Sequence, residues 1–375
     1  MKKVMVVFGT RPEAIKMVTV AKQLKKYPDH FDVKVCSTGQ HRQMLDQVMD
    51  FFKLKADFDL NVMSPNQTLA DVTCKVLKGM EEVFKQWKPD ILLVQGDTTT
   101  VMAAALAAFY HKIAIGHIEA GLRTGNRYSP WPEEMNRLIA SQLATVHFAP
   151  TENSKNNLLR EAVDPALVHV TGNTVIDALF EAIGIIDGNE TLKKELDERF
   201  SFIDCAKKLV LVTGHRRENF GDGFLQICRA IKLIAERDDV QFVYPMHMNP
   251  NVRKPVNDIL GNCQNVHLIE PQDYPSFLYL MRRSYLILTD SGGVQEEAPS
   301  LGKPVIVMRN TTERPEAVAA GTVILAGADQ ENICSNVLRL LDDPEFYQKM
   351  SRTINPYGDG EASERICRIL MRLES

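Results

Sequence analysis

Short runs of β-branched and other apolar residues recur along nearly the whole chain, separated by stretches with helical spacing. The runs predict strands at 3–8, 32–38, 90–95, 113–118, 167–171, 208–213, 240–244, 266–270, 285–289, 304–308 and 322–326. Most are continuous rather than alternating, as in Ile91-Leu92-Leu93-Val94. That is the pattern of strands covered on both faces in a parallel sheet. Between 68 and 87, Leu69, Val72, Val76, Leu77, Met80, Val83, Phe84 and Trp87 fall on one face of a helix. Strand–helix alternation means βαβ units and an α/β, doubly wound fold. Eleven strands are many for one open sheet, so two Rossmann-like domains facing a cleft are expected. A junction near 170 gives halves of similar size: residues 1–170, and 171–359 as the second domain. Arg11-Pro12-Glu13-Ala14 recurs as Arg314-Pro315-Glu316-Ala317, a faint echo between the halves.

Composition narrows the class. The chain has 375 residues, 45% hydrophobic and 25% charged, which suits two domains with real cores and excludes disorder. No window approaches the ~20 apolar residues of a membrane span. The opening Met1-Lys2-Lys3-Val4-Met5-Val6-Val7-Phe8 is too short an apolar run for a signal peptide and turns directly into Gly9-Thr10. A net charge of −4 gives no reason to expect a nucleic-acid or membrane partner. Seven cysteines without a C-x-x-C pair read as reduced thiols of a cytoplasmic protein, not as a disulfide frame or a metal site.

Ligands of open parallel sheets bind beyond the carboxyl ends of the strands, so the post-strand segments carry the functional signal. In Gly9-Thr10-Arg11-Pro12-Glu13-Ala14-Ile15-Lys16 a tight turn leads into a helix flanked by Arg11 and Lys16, a good anion site. It is not G-x-G-x-x-G, and no Walker loop occurs, which disfavours NAD and P-loop hydrolysis. In Gly96-Asp97-Thr98-Thr99-Thr100 the aspartate could cap the next helix, act chemically, or both. Glu119 ends a buried strand and opens a glycine-rich loop, a costly place for a carboxylate without a use. Glu133 and Glu134 follow Pro132, where first-turn carboxylates also suit the helix dipole, and His117 reads as a satisfied core histidine. Further on, His215-Arg216-Arg217 ends another strand and can neutralise a phosphate leaving group. In Asp290-Ser291-Gly292-Gly293-Val294-Gln295-Glu296-Glu297 a strand delivers Ser-Gly-Gly into a helix, where backbone N–H groups can reach a phosphate unobstructed. Glu297, one turn in, could accept from a sugar hydroxyl. The loop with Glu313-Arg314-Pro315 adds another cation. Anion loops in both halves suggest a sugar nucleotide.

Taken together, these segments resemble the bacterial non-hydrolysing UDP-N-acetylglucosamine 2-epimerases. The likeness runs from Phe8-Gly9-Thr10-Arg11-Pro12-Glu13-Ala14-Ile15-Lys16-Met17 to Asn355-Pro356-Tyr357-Gly358-Asp359-Gly360. The resemblance implies a glycosyltransferase-B-like fold whose C-terminal helix, about 360–375, returns to the first domain. It also implies interconversion of UDP-N-acetylglucosamine and UDP-N-acetylmannosamine, and a homodimer. The missing dinucleotide fingerprint weakens oxidation by a cofactor and the cationic clamp favours UDP leaving and re-adding, so no cofactor and no metal are expected. Positions matching the family's nucleotide-binding residues are Gln272, Phe277, Ser291, Gly292, Gly293, Glu297 and Arg314, with His215 near the diphosphate. Arg11 and Lys16 match binding residues of the first domain, and Asp97, Glu119 and Glu133 match the acids implicated in chemistry. An activator site is expected to use Gln40, Gln43 and Gln67. Two departures are visible: Gln95 stands where relatives often carry His, and Thr19 where many carry Pro. Rival readings are a hydrolysing epimerase, a UDP-sugar glycosyltransferase and a non-catalytic sensor.

Overall fold

Strands apolar on both faces need helices above and below, and the chain supplies them twice. The computed structural model describes residues 1–39, 42–64 and 66–373. The chain divides into two units: Met1–Glu181 joined by the stretch from Tyr357 onward, and Ala182–Pro356.

In the first unit, β1 (Lys2–Phe8), β2 (Phe31–Ser37), β3 (Phe58–Asp59), β4 (Ile91–Gln95), β5 (Ala114–Ile118), β6 (Val146–Ala149) and β7 (Val168–Val170) form one sheet. Its order is β3-β2-β1-β4-β5-β6-β7, with every pairing parallel. In the second unit, β8 (Lys208–Thr213), β9 (Val240–Pro245), β10 (Val266–Ile269), β11 (Leu286–Thr289), β12 (Val305–Val307) and β13 (Val323–Leu325) form another parallel sheet. The order there is β10-β9-β8-β11-β12-β13. Each order reverses direction once, between β1 and β4 and between β8 and β11. Those two switch points are where an open parallel sheet leaves a crevice for a ligand.

Two strands are absent from the sequence reading. β3 is two residues long, too short to show any period. β6 is Val146-His147-Phe148-Ala149, in which a histidine interrupts the apolar run although it is buried.

The unit boundary falls at Glu181, not 170, and the return at Tyr357, not 360. The shift has a local cause in the helix Thr174–Asp187. Its Asp177 accepts from the backbone N–H groups of Ala362 (3.2 Å) and Ser363 (2.7 Å), which ties the start of that helix to the returning one, Ala362–Arg372. Lys2 donates to the Leu370 and Leu373 carbonyls at the far end, in accord with a helix C-terminus attracting a cation. Thr19 receives a hydrogen bond from the Ser363 hydroxyl (3.0 Å), a contact proline could not make.

All seven cysteines are free, and burial pushes the Cys36 and Cys228 thiols up to about 12. Among the described residues no helix is long and apolar enough to cross a membrane. No group of three or more His, Cys, Asp or Glu among them is placed to hold a metal ion.

Candidate functional site

The first switch point is built on a glycine that must stay small. A Cβ on Gly9 would lie 2.1 Å from the Thr38 hydroxyl and 2.6 Å from that of Thr100, so the turn after β1 tolerates nothing larger. The helix Arg11–Lys25 starts there, with Arg11 half-buried at its first position. Glu13 closes the turn, accepting from the backbone of Gly9 (3.1 Å) and Thr10 (2.8 Å) and from the Thr98 hydroxyl (2.7 Å). Burial raises the Glu13 carboxyl above its ordinary range, and these bonds oppose the shift.

Thr98, not Asp97, caps the helix Thr99–Tyr110, so the capping alternative for Asp97 falls away. The Asp97 carboxylate instead accepts from Arg137 at 2.5 Å, and its backbone carbonyl accepts from Asn136 at 2.9 Å. Both partners lie on the helix Glu133–Leu143. Arg137 is buried and also faces Glu134 at 3.2 Å. Glu134 is buried too, and takes the backbone N–H groups of Thr124 and Gly125, so it holds the glycine-rich loop. Glu133 is half-buried at the helix start, with no hydrogen-bond or ionic partner among the described residues.

Glu119 follows β5 with φ of 61°, left-handed backbone that costs a non-glycine residue energy. Its carboxylate, 8% exposed for the whole residue, accepts from Lys16 at 2.5 Å and from Gln95 at 2.6 Å. Gln95 thus supplies a second donor to this carboxylate. His117, expected to be satisfied, is satisfied at one nitrogen only: Nε2 meets the Gly96 carbonyl at 2.8 Å, and Nδ1 has no partner. Burial pushes this imidazole down to about 4, so it is neutral at neutral pH and props the turn before Asp97. The Gly96 N–H bonds the Ile118 carbonyl (3.0 Å), which fixes the Asp97 and Glu119 loops side by side.

The second switch point has the opposite character. Thr213 and Thr289 are register partners at the ends of β8 and β11, and their hydroxyls meet at 2.5 Å. Buried Asp290 then accepts through Oδ2 from the backbone N–H groups of His215 and Arg216, both 2.8 Å, clasping the His215 loop to β11. His215 is exposed and stacks on His247, with ring centres 5.5 Å apart. Arg217 is exposed, as a solvated charge would be.

Ser291 precedes the short helix Gly292–Glu297. A Cβ on Gly292 would lie 2.5 Å from an Arg314 guanidinium nitrogen, so only glycine lets that cation rest on the turn. Arg314 is aimed from behind: its Nε donates to buried Glu296 at 2.7 Å, and Glu313 lies 3.7 Å from its Nη1. Arg309 braces the same corner, donating to Glu218 (2.6 Å) and to both oxygens of Glu313 (2.9 and 3.2 Å). Burial alone would raise the Glu313 carboxyl, but the bonds and charges of Arg309, with Arg314, hold it down at about 2. Gln295 ties the turn to the Arg314 loop, donating to the Ser291 carbonyl (3.1 Å) and accepting from Thr312 (2.7 Å). Glu297 is already engaged by the Tyr274 hydroxyl at 2.9 Å. Phe277 lies half-buried on the same helix as Tyr274, Tyr274–Arg283, and Gln272 just before it donates to the Glu270 carbonyl (2.6 Å).

Of the expected activator residues, Gln40 and the Gln43 side chain lie outside the described residues. Gln67 accepts from the Ser64 N–H (3.0 Å), pinning the turn before the helix Leu69–Gln86. Sequence reasoning missed Arg137 and Asp290 as site residues. Arg137 stands three and four positions after Glu134 and Glu133, spacing that otherwise reads as a surface ion pair.

The family model described as UDP-N-acetylglucosamine 2-epimerase matches residues 22–371. The UDP-N-acetylglucosamine 2-epimerase of Salmonella typhimurium is 57% identical over 98% of both chains. The solved structure of the Neisseria meningitidis UDP-GlcNAc 2-epimerase bound to UDP-GlcNAc superposes with TM-score 0.93 at 55% identity, covering 99% of this chain and all of that one. The Methanocaldococcus jannaschii UDP-GlcNAc 2-epimerase, solved with UDP-GlcNAc and UDP, gives 0.83 at 36% identity over 98% of this chain and 99% of its own. With its two reversed parallel sheets and this likeness over almost its whole length, the chain belongs to the UDP-N-acetylglucosamine 2-epimerase family.

Proposed function

We propose that the protein interconverts UDP-N-acetylglucosamine and UDP-N-acetylmannosamine by eliminating UDP to 2-acetamidoglucal and adding it back. The observation that carries this is the carboxylate set of the first unit. Glu119 and Asp97 sit at adjacent strand ends, each fixed by its own cation, and binding an anionic nucleotide alone gains nothing from them.

The proton on sugar carbon 2 is not next to a carbonyl, so removing it needs a leaving group on carbon 1. In the forward step a carboxylate takes that proton as the C1–O bond breaks and its electron pair leaves with UDP. In the return step UDP re-adds at carbon 1 and a proton enters carbon 2 from the opposite face. Two faces need two groups. Asp97, Glu119 and Glu133 serve as the proton-transfer set, of which Glu133 alone lacks a partner among the described residues.

The second unit supplies the leaving-group side. Backbone N–H groups of Ser291, Gly292 and Gly293, with Arg314 against Gly292 and His215 beside them, hold the diphosphate and stabilise its developing charge. Arg11 adds a cation of the first unit, and Lys16 adds the one that also holds Glu119. Phe277 and Gln272 flank the uridine, and Glu297 accepts from a ligand hydroxyl. The same reading carries a cytoplasmic location, a homodimeric state and activation by substrate through Gln40, Gln43 and Gln67.

Incubation with UDP-N-acetylglucosamine and no acceptor, followed by NMR, tests it. The expected product is a second UDP-sugar with the manno configuration. Free N-acetylmannosamine with stoichiometric UDP would make the enzyme a hydrolase, and an unchanged spectrum would point to a transferase or a sensor.

A further inference from the structure

The Asp290 carboxylate is fully buried, yet only one of its oxygens is used. Oδ2 takes the His215 and Arg216 backbone N–H groups at 2.8 Å, with the Asn219 side chain at 3.4 Å. Oδ1 has no hydrogen-bond partner. A buried carboxylate oxygen left bare is costly, and a fold that keeps one invites the question of what it awaits. The nearest candidate is the His215 imidazole, whose Nδ1 stands 3.4 Å from Oδ1. That is slightly long for a hydrogen bond, as such contacts often are before a ligand tightens them. Oδ2 anchors the backbone of the residue whose ring Oδ1 faces, so Asp290 fixes both where His215 sits and which nitrogen points inward.

We propose that Asp290 is a positioning residue for His215, accepting its Nδ1–H so that Nε2 is turned outward and the imidazolium form is favoured. This rests on the reading above, in which His215 meets the diphosphate. With Nδ1–H committed to Asp290, a neutral ring would offer the diphosphate only a lone pair on Nε2. The protonated ring offers an N–H and a positive charge. The carboxylate behind it makes that form cheaper to hold. His247 stacks on the ring and opposes a second positive charge, and Arg216 is its neighbour in the chain. No proton need leave His215 during turnover. It serves as a fixed cation that meets charge as it develops on UDP.

The pairing is tested on protein labelled with 15N in its histidine rings, with His215 assigned by His215→Gln. In the wild type the neutral ring should carry its proton on Nδ1, and UDP binding should weaken as pH rises through the His215 midpoint. Asp290→Asn should lower that midpoint by about one pH unit and weaken UDP binding at pH 7 by about tenfold. A wild-type neutral ring protonated on Nε2 overturns the pairing without any variant, which matters because Asp290 also holds the loop backbone. An unmoved midpoint in Asp290→Asn overturns it as well. If the protein shows both shifts but makes no second UDP-sugar, the functional reading fails and the pairing stands. If it epimerises while the shifts are absent, the pairing fails and the functional reading stands.

Discussion

The two switch points share a topology and reverse each other's chemistry. In the first unit the groups at the strand ends are acids, and the cations stand behind to hold them: Lys16 on Glu119, Arg137 on Asp97. In the second the groups at the strand ends are an exposed histidine, a largely buried arginine and backbone amides, and the acids stand behind: Asp290 under His215, Glu296 and Glu313 under Arg314. A parallel sheet that reverses order supplies a crevice and nothing more. Which side chain is thrust forward and which is kept as support decides whether that crevice presents acids or presents cations and backbone amides.

The contrast can be broken at either end. The largest effect is expected from Glu119→Gln, which removes a proton acceptor but keeps a hydrogen-bonding group for Lys16. Turnover should fall by about 10²- to 10⁴-fold while calorimetry shows UDP affinity little changed. A parallel loss of UDP binding would mean that Glu119 serves the nucleotide rather than the proton.

Arg137→Met removes the support instead of the working group. It strands buried Glu134 as well as Asp97, so urea unfolding should show a loss of about 3–5 kcal/mol. Gly292→Ala strikes the second unit. Its Cβ displaces the Arg314 guanidinium, so UDP should bind about ten- to a hundredfold more weakly, and saturating substrate should restore most of the turnover.

Acid sharpens the comparison further. Glu313 in the second unit has its carboxyl depressed to about 2, so its stabilisation is complete above about pH 4.5 and is lost as pH falls towards 2. Glu13 in the first unit has its carboxyl raised, so its ionised form is a burden at neutral pH that acid relieves. Glu313→Gln should therefore destabilise at pH 7 and matter little near pH 2. The change in stability caused by Glu13→Gln should be more favourable at pH 7 than at acid pH, because the burden it removes exists only where the carboxyl is ionised. Smallest of all is Gln95→His, which replaces one donor to Glu119 by another and should change turnover by less than about fivefold.

Much of this was legible in the sequence, for a physical reason. Strands covered on both faces must be apolar throughout, so β1, β4, β8 and β11 announce themselves, and with them the post-strand loops that carry Asp97, Glu119, His215 and Ser291. What escaped depends on contacts distant in sequence. Lys16 reaches Glu119 across 103 positions and Arg137 reaches Asp97 across 40, and no local pattern encodes such pairings. Asp290 escaped because an aspartate before Ser-Gly-Gly reads as part of a turn. Its buried oxygen shows only when β8 and β11 lie side by side. The boundary was placed too early because the helix Thr174–Asp187 gives no sign in sequence that its Asp177 will anchor a helix nearly two hundred residues later.

The central claim is that the carbon 2 proton is given up and regained while UDP is away from the sugar. Running the reaction in deuterium oxide and following the sugar signals by NMR tests it most directly. Deuterium should appear at carbon 2 of the UDP-N-acetylmannosamine formed, with free UDP and 2-acetamidoglucal as transient species. Complete retention of the original hydrogen at carbon 2 would contradict the account.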